Sequence, residues 1–253
     1  MSDFKQYGVF ASYYAALMHT LVDYDRWYDD LKALLFQNGL ENGGDVLDIA
    51  AGTGEFANRF ARDGFGAVAI DISGDMLSVA REKAYSEGIK NPPLYICQDM
   101  KNLDLYGTVD AAVCCLDGFN YLKNYNELES VFERVRLFLS KGAPFIFDIN
   151  TKYKFEKVLA DNTFVYEIDG LFCTWENFYN KKSGVCPSRL TFFAEDENGL
   201  WIREEEFQKE RAFDENKIIK LLHKCGFDEV SVYSSLTLDP AADSDERHYF
   251  VCK

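Results

Sequence analysis

Asp45-Val46-Leu47-Asp48-Ile49-Ala50-Ala51-Gly52-Thr53-Gly54 decides how this chain is read. Val46, Leu47 and Ile49 form a short apolar run, the pattern of a strand buried on both faces of a parallel sheet. Gly52 and Gly54 then allow a tight turn and a close backbone approach that a Cβ would block. From Glu55 to Arg62 the spacing turns helical, with Phe56 and Phe60 four apart. Strand, glycine turn and helix make the first half of a βαβ unit.

Written as Gly52-x-Gly54-x-x-Ala57, with Asp71 nineteen residues after Gly52, the stretch also fits a dinucleotide fingerprint. Asp48 and Glu55 argue against that ligand. A pyrophosphate sits on backbone N–H groups at a helix N-terminus, and two carboxylates flanking the turn would repel it. A ligand with no phosphate and a positive reacting end suits them better, and S-adenosylmethionine is one. Asp-x-Ala-x-Gly-Thr-Gly at 48–54 resembles the first motif of the class I S-adenosylmethionine-dependent methyltransferases. The resemblance implies an α/β fold with a Rossmann-like seven-stranded sheet, mostly parallel, its last strand antiparallel. It also implies S-adenosylmethionine as cofactor, held by the backbone around Ala50, Gly52, Thr53 and Gly54 beside Asp48.

Later segments extend the likeness. Phe65 to Ile72 reads as the second strand, and Asp71 at its end can accept both ribose hydroxyls. Ile72 follows it, Ser73 caps the next helix, and Met76 is a candidate for an adenine face. Leu94 to Cys97 is a third strand ending in Gln98-Asp99-Met100; the family places an Asp at this point near the adenine amino group, so Asp99 and Met100 join the cofactor set. Val109 to Leu116 is a fourth strand, running into Asp117-Gly118-Phe119-Asn120-Tyr121-Leu122 at the edge where open α/β sheets bind ligands. Leu116 and Asp117 are expected beside the cofactor, Asn120 and Tyr121 toward the acceptor. Lys141-Gly142-Ala143-Pro144 turns into a fifth strand, Phe145 to Ile149, matching the family's glycine-containing turn.

The flanks carry the rest. Residues 1–40 are aromatic-rich and helical in period, an N-terminal cap; Phe10-Ala11-Ser12-Tyr13-Tyr14 resembles the family's segment that closes over the methionine end of the cofactor, and Tyr14 is carried over from it. The family has an Asp after the second Tyr, where this chain has Ala15. Tyr7 and Trp27 are read as packing. Residues 41–158 and 212–253 are assigned to the Rossmann-like domain. Between them, 159–211 reads as an inserted antiparallel β-meander, with hairpin signals at Asp169-Gly170, Lys182-Ser183-Gly184 and Asn198-Gly199. It is expected to roof the acceptor, with Tyr166, Trp175 and Tyr179 exposed; a structural platform or an oligomer surface is the other reading. Asp214 caps a last helix that stops at Gly226, before two final strands.

Composition bounds the function. The 253 residues carry 27 Lys and Arg against 42 Asp and Glu, a net −15 that argues against a nucleic-acid backbone or an anionic membrane as partner. No run approaches the ~20 apolar residues of a bilayer span. Met1-Ser2-Asp3-Phe4-Lys5 lacks the basic start and apolar core of a signal peptide. The seven cysteines form no Cys-x-x-Cys pair, and His19, His223 and His248 form no metal spacing. A cytoplasmic monomer or homodimer with reduced thiols and no metal is expected. Methyl transfer starts from an activated leaving group, so the protein supplies mainly alignment and exclusion of water. A nitrogen or oxygen acceptor still sheds a proton, for which Tyr121, Tyr14, Asp117 and His19 are the candidates. The meander and aromatic N-terminus resemble the small-molecule branch, including glycine and amino-sugar N-methyltransferases. The competing classes are a nicotinamide dehydrogenase and a non-catalytic cofactor-binding protein.

Overall fold

The computed structural model describes residues 6–168, 170–195 and 199–253, with side chains from residue 11 onward. The side chains of Tyr7 and Phe10, and the turn residues Asp169 and Asn198, lie outside the described residues. In chain order the elements begin with helices α1 (Gln6–Leu21) and α2 (Tyr24–Gln37), strand β1 (Asp45–Ile49), α3 (Glu55–Arg62), β2 (Gly66–Asp71) and α4 (Gly74–Ser86). Next come β3 (Leu94–Cys97), β4 (Ala111–Cys114), α5 (Tyr125–Phe138) and β5 (Phe145–Asn150). Four strands follow, β6 (Thr163–Ile168), β7 (Leu171–Asn177), β8 (Val185–Glu195) and β9 (Trp201–Arg211), before α6 (Glu215–Lys224), β10 (Val230–Tyr233) and β11 (Arg247–Cys252).

Seven strands form one sheet in the order β10-β11-β5-β4-β1-β2-β3. β11 runs antiparallel to both β5 and β10, while the β1–β2, β1–β4, β2–β3 and β4–β5 pairs are parallel. This is the expected seven-stranded Rossmann-like architecture. The strand order reverses between β1 and β4, the switch point outside which an open α/β sheet binds its ligand.

Strand alternation assigns the faces. Leu47, Ile49, Cys114, Phe145 and Phe147 pack under α5 and α6; Val46, Val113, Cys115 and Ile146 pack under α2 and α3. Adjacent Cys114 and Cys115 thus serve opposite cores, and all seven cysteines are free thiols. Phe147 stacks on Phe250 with centroids 4.6 Å apart, joining β5 to the antiparallel β11. Caps fall where their residue types place them: Ser73 Oγ accepts from Met76 N at 3.2 Å and Asp214 Oδ1 from Lys217 N at 3.1 Å.

β6 to β9 form a second, antiparallel sheet in sequential order. Its inner residues Leu171, Cys173, Leu190 and Phe192 close a third core with Leu17 of α1, and Tyr13, Tyr14, Met76, Tyr166 and Trp175 pack against it. Tyr166 and Trp175 are therefore half-buried supports, and Tyr179 stacks on Phe155 at 5.9 Å. The exposed apolar residues of this sheet are instead Val165, Trp201, Ile202 and Phe207. β8 begins at Val185, directly after the turn that Gly184 (φ 69°) closes and where Asn180 bridges Val185. β4 ends at Cys114, not Leu116, because Leu116 and Asp117 enter the left-handed region at φ 58° and 56°.

Candidate active site

Two turns meet at the switch point. After β1 the backbone is left-handed at Ala50 (φ 54°), Gly52 (φ 52°) and Gly54 (φ 74°). After β4 it is left-handed at Leu116 and Asp117, and Gly118 lies so close that a Cβ there would stand 2.7 Å from Cys114 Sγ and 2.9 Å from Ala50 Cβ. Gly54 is equally constrained, since its Cβ would fall 2.7 Å from Ala80 Cβ. Gly52 differs: among the described residues, its chain neighbours aside, no atom lies within 4 Å of a Cβ built there. The turn holds this space open.

Four carboxylates ring the turns. Asp48 shares the face of Val46, so it points at α3 and accepts from Ala57 N at 3.0 Å. Burial pushes its pKa up to about 7. Asp71 accepts from Gly52 N and from Ser73 N, both at 2.8 Å, tying the ends of the motif together. Burial raises its pKa against those same N–H groups. Asp99 accepts from Lys101 N at 3.0 Å and pairs with Lys101 Nζ at 3.3 Å. Asp148 of β5 is buried and receives Leu116 N and Asp117 N, both at 2.8 Å. It thereby holds the left-handed residues in place.

Arg247, the first residue of β11, ties this edge together. It pairs with Asp148, donates to Asp117 Oδ1 at 2.8 Å, and lies over the Trp27 ring at 5.3 Å. Trp27, read as packing, also contacts Phe56 and Tyr249 edge-on or tilted. Below Asp117, Tyr121 donates to Gln208 Oε1 of β9 at 2.9 Å. Tyr14 of α1 faces Asp117, Tyr24, Glu210 and Arg247, and burial drives its phenol far above its ordinary pKa. Asn120, expected to face an acceptor, is fully buried: its amide donates to Asn150 O (3.2 Å) and Arg211 O (2.8 Å) and accepts from Asn150 N (2.9 Å). It stitches the β4 loop to β5 and β9.

His19 is not brought to Tyr121. Its Nε2 lies 2.9 Å from Glu55 Oε1 and 3.0 Å from Lys83 Nζ. Although burial opposes it, hydrogen bonds from Lys83 and Arg59 hold Glu55 below the usual carboxylate range. Thr53 is buried with its hydroxyl 3.5 Å from Glu55, and Met76 packs into the α1–meander core. A separate concavity of about 850 Å³, lined by Glu167, Phe172, Phe193 and Trp201 of the meander, contains none of the residues selected from sequence.

A methyltransferase-domain family model matches residues 46–142. The chain is 33% identical over 247 residues to the Bacillus subtilis (strain 168) protein named "Putative methyltransferase YqeM"; the match covers 96% of this chain and 95% of that protein. A crystal structure of an S-adenosylmethionine-dependent methyltransferase from Clostridium acetobutylicum ATCC 824 superposes with a TM-score of 0.87 at 33% identity, covering 98% of each chain. This chain belongs to the S-adenosylmethionine-dependent methyltransferases. A shorter match, 32% identical over 114 residues and 44% of this chain, is to a Streptomyces fradiae dTDP-3-amino-3,6-dideoxy-α-D-glucopyranose N,N-dimethyltransferase, covering 41% of it.

The methyltransferase's residues fit its cofactor. Open space beside Gly52 is what a ligand lying on the turn requires, and Ile72, 72% exposed directly after Asp71, offers uncovered apolar surface at the strand end. Sequence reasoning missed Asp148, Asn150, Lys154, Glu210 and Arg247. Asp148 carried a signal, a lone carboxylate inside the apolar run Phe145-Ile146-Phe147-Asp148-Ile149. Glu210 carried none that separates it from Glu204, Glu205 and Glu206 of the same strand.

Proposed function

We propose that this methyltransferase modifies a small-molecule acceptor at nitrogen or oxygen, in the region where Tyr14, Asp117, Tyr121 and the end of β9 face one another. The observation that carries the reading is the ring of groups at that edge: hydroxyls from α1 and the β4 loop, and Gln208 and Glu210 from the meander. Net charge of −15 supports a small acceptor over a nucleic acid. Five buried, free cysteines support a reducing, cytoplasmic setting. The meander, 159–211, acts as a unit inserted into the Rossmann-like domain.

When bound, S-adenosylmethionine supplies an activated methyl group on a sulfonium that leaves as a neutral thioether. The chain's part is to hold and align. Ala50, Gly52 and Gly54 shape the cradle; Asp71, whose carboxylate keeps acceptor capacity beyond its backbone bonds, takes the ribose hydroxyls. Ile72 covers an adenine face in place of Met76, and Asp99 with Met100 lies at the adenine edge. Leu116 and Asp117 border the reacting end. Asp48 acts through α3, bracing the turn. Tyr14 and Tyr121 stay protonated, Tyr14 through burial and Asp117, and Tyr121, which is 40% exposed, through the partial burial of its hydroxyl and the nearby Glu210, so they align an acceptor by hydrogen bonds without ionising. His19, engaged with Glu55, is left out of the reaction.

Asp71→Ala is expected to weaken S-adenosylhomocysteine binding by on the order of 2–4 kcal/mol, about 30- to 1000-fold, through two lost charge-assisted hydrogen bonds. The α4 helix should persist, because Ser73 still caps it. Calorimetry showing less than about a threefold loss would put the ribose elsewhere. The acceptor class is tested by radiolabelled methyl transfer into fractionated small-molecule and macromolecular extracts. Label should appear in the small-molecule fraction; label confined to RNA or protein would contradict the reading.

A further inference from the structure

The outer face of the meander carries a concavity that methyl transfer leaves unused. Strand alternation turns Leu171, Cys173 and Phe192 inward to α1 and leaves Phe172 and Phe193 on the opposite face. The ladder sets Glu167 beside Phe172, Phe172 beside Phe193, and Glu195 beside Trp201. Gly170 follows β6 at φ 71°, and its carbonyl accepts from Glu195 N at 3.0 Å. Gly170 brings no side chain, so these five stand around an open space of about 850 Å³. The Phe172 and Phe193 rings lie 6.3 Å apart and tilted by 57°, while Trp201 is 56% exposed. The charge is one-sided. Among the described residues, neither the Glu167 nor the Glu195 carboxylate has an ion pair or a hydrogen bond. Arg203, beside Phe193 on β9, is held by Glu205 at 2.6 Å. The described lining contains no Lys, Arg or His.

We propose that this concavity binds a small organic cation whose nitrogen is fully alkylated, a quaternary ammonium. Aromatic faces carry negative potential and attract a cation, and the two carboxylates add to that attraction. The ring walls offer no hydrogen-bond acceptor, so a primary ammonium facing them leaves N–H donors unpaired. A quaternary head has no N–H to satisfy and buries its methyl groups against the rings. A metal ion does not suit the place, because the described residues bring no three metal-ligating side chains together. The volume lies within the ~300–1,000 Å³ of small-ligand pockets. The same face of a second copy would set Glu167 and Glu195 against like charges. A quaternary nitrogen has no lone pair and cannot accept a methyl group. The site is therefore separate from the reaction, on the far side of β7 and β8 from Tyr14, and does not depend on the acceptor's identity.

The test titrates the full chain with choline, its neutral isostere 3,3-dimethyl-1-butanol, and ethanolammonium. Ligand-observed NMR gives the affinities, and the indole N–H signals of isotope-labelled protein give the place. Choline is expected to bind at least about fivefold tighter than either competitor (~1 kcal/mol). It should move the Trp201 signal and leave those of Trp27 and Trp175 unchanged. Saturation with S-adenosylhomocysteine should leave choline affinity within about twofold. Glu167→Gln combined with Glu195→Gln should bring choline and the alcohol within about twofold, and Trp201→Leu should weaken choline at least about threefold. All three positions are exposed, so the melting temperatures should match wild type. Equal or absent binding of choline and the alcohol to wild type would overturn the proposal, as would a preference that survives the double glutamate variant. Ethanolammonium binding as tightly as choline would overturn the quaternary assignment. Displacement of choline by S-adenosylhomocysteine would also overturn it, by placing the cation in the cofactor site.

Discussion

Gly52→Val is expected to fold and to lose S-adenosylhomocysteine affinity by more than about a hundredfold (~2.7 kcal/mol). The position is suited to the test because a Cβ there meets no atom of the described residues beyond its chain neighbours, so the branched side chain is directed into the space assigned to the ligand. Its backbone is left-handed at φ 52°, which costs a β-branched residue about 1–3 kcal/mol. Urea unfolding should therefore show a modest loss of stability and calorimetry a large loss of binding. A folded variant with unchanged affinity would contradict the assignment of the turn. Gly54 and Gly118 do not allow the same inference, since side chains there collide with Ala80 or with Cys114 and Ala50 and would damage the fold first.

Arg247→Met is expected to be the most destabilising change at the acceptor edge. It leaves Asp148, 1% exposed, and Asp117 without their shared cation, and removing one partner of a buried ion pair costs about 3–5 kcal/mol. Stability should fall most at high pH. Asp148 has its pKa raised by burial, with Arg247 pulling it down, so deleting Arg247 raises it further. The native state then binds this proton more tightly than the unfolded chain. Stability is full below the unfolded carboxylate value and declines as pH climbs through the native one. Urea midpoints of Arg247→Met at pH 5 and pH 8 read this directly. A difference from wild type that shrinks as pH rises would contradict the buried-pair account.

The sheet was legible because its signals are local: apolar runs of strand length, capped helices, and turn residues at hairpin spacing. Asp48 shows how a correct family assignment can rest on an incomplete reason. The charge argument treated Asp48 and Glu55 as carboxylates facing the ligand. In the structure Asp48 is turned to Ala57 N with a pKa of about 7, and Glu55 is paired with Arg59 and Lys83. The motif selects this turn by bracing it more than by repelling phosphate. His19, one of the candidate proton acceptors, meets Glu55 and Lys83 in the structure, a pairing that helical spacing does not reveal. Arg247, Asp148, Asn150, Lys154 and Glu210 were not legible as a group. They come from β5, β9, β11 and the turn after β5, and only the antiparallel insertion of β11 beside β5, pairing Arg247 with Asn150 and Tyr249 with Asp148, assembles them. The meander aromatics followed the same logic: a β pattern predicts strands, but whether Trp175 faces solvent depends on α1 lying against that face.

The most direct test of the cofactor site is a calorimetric titration of the wild-type chain with S-adenosylhomocysteine and, separately, with NAD. The account expects one S-adenosylhomocysteine per chain, with the negative heat-capacity change of a buried adenine, and no heat from NAD. Binding of NAD in place of S-adenosylhomocysteine, or binding of neither, would contradict it.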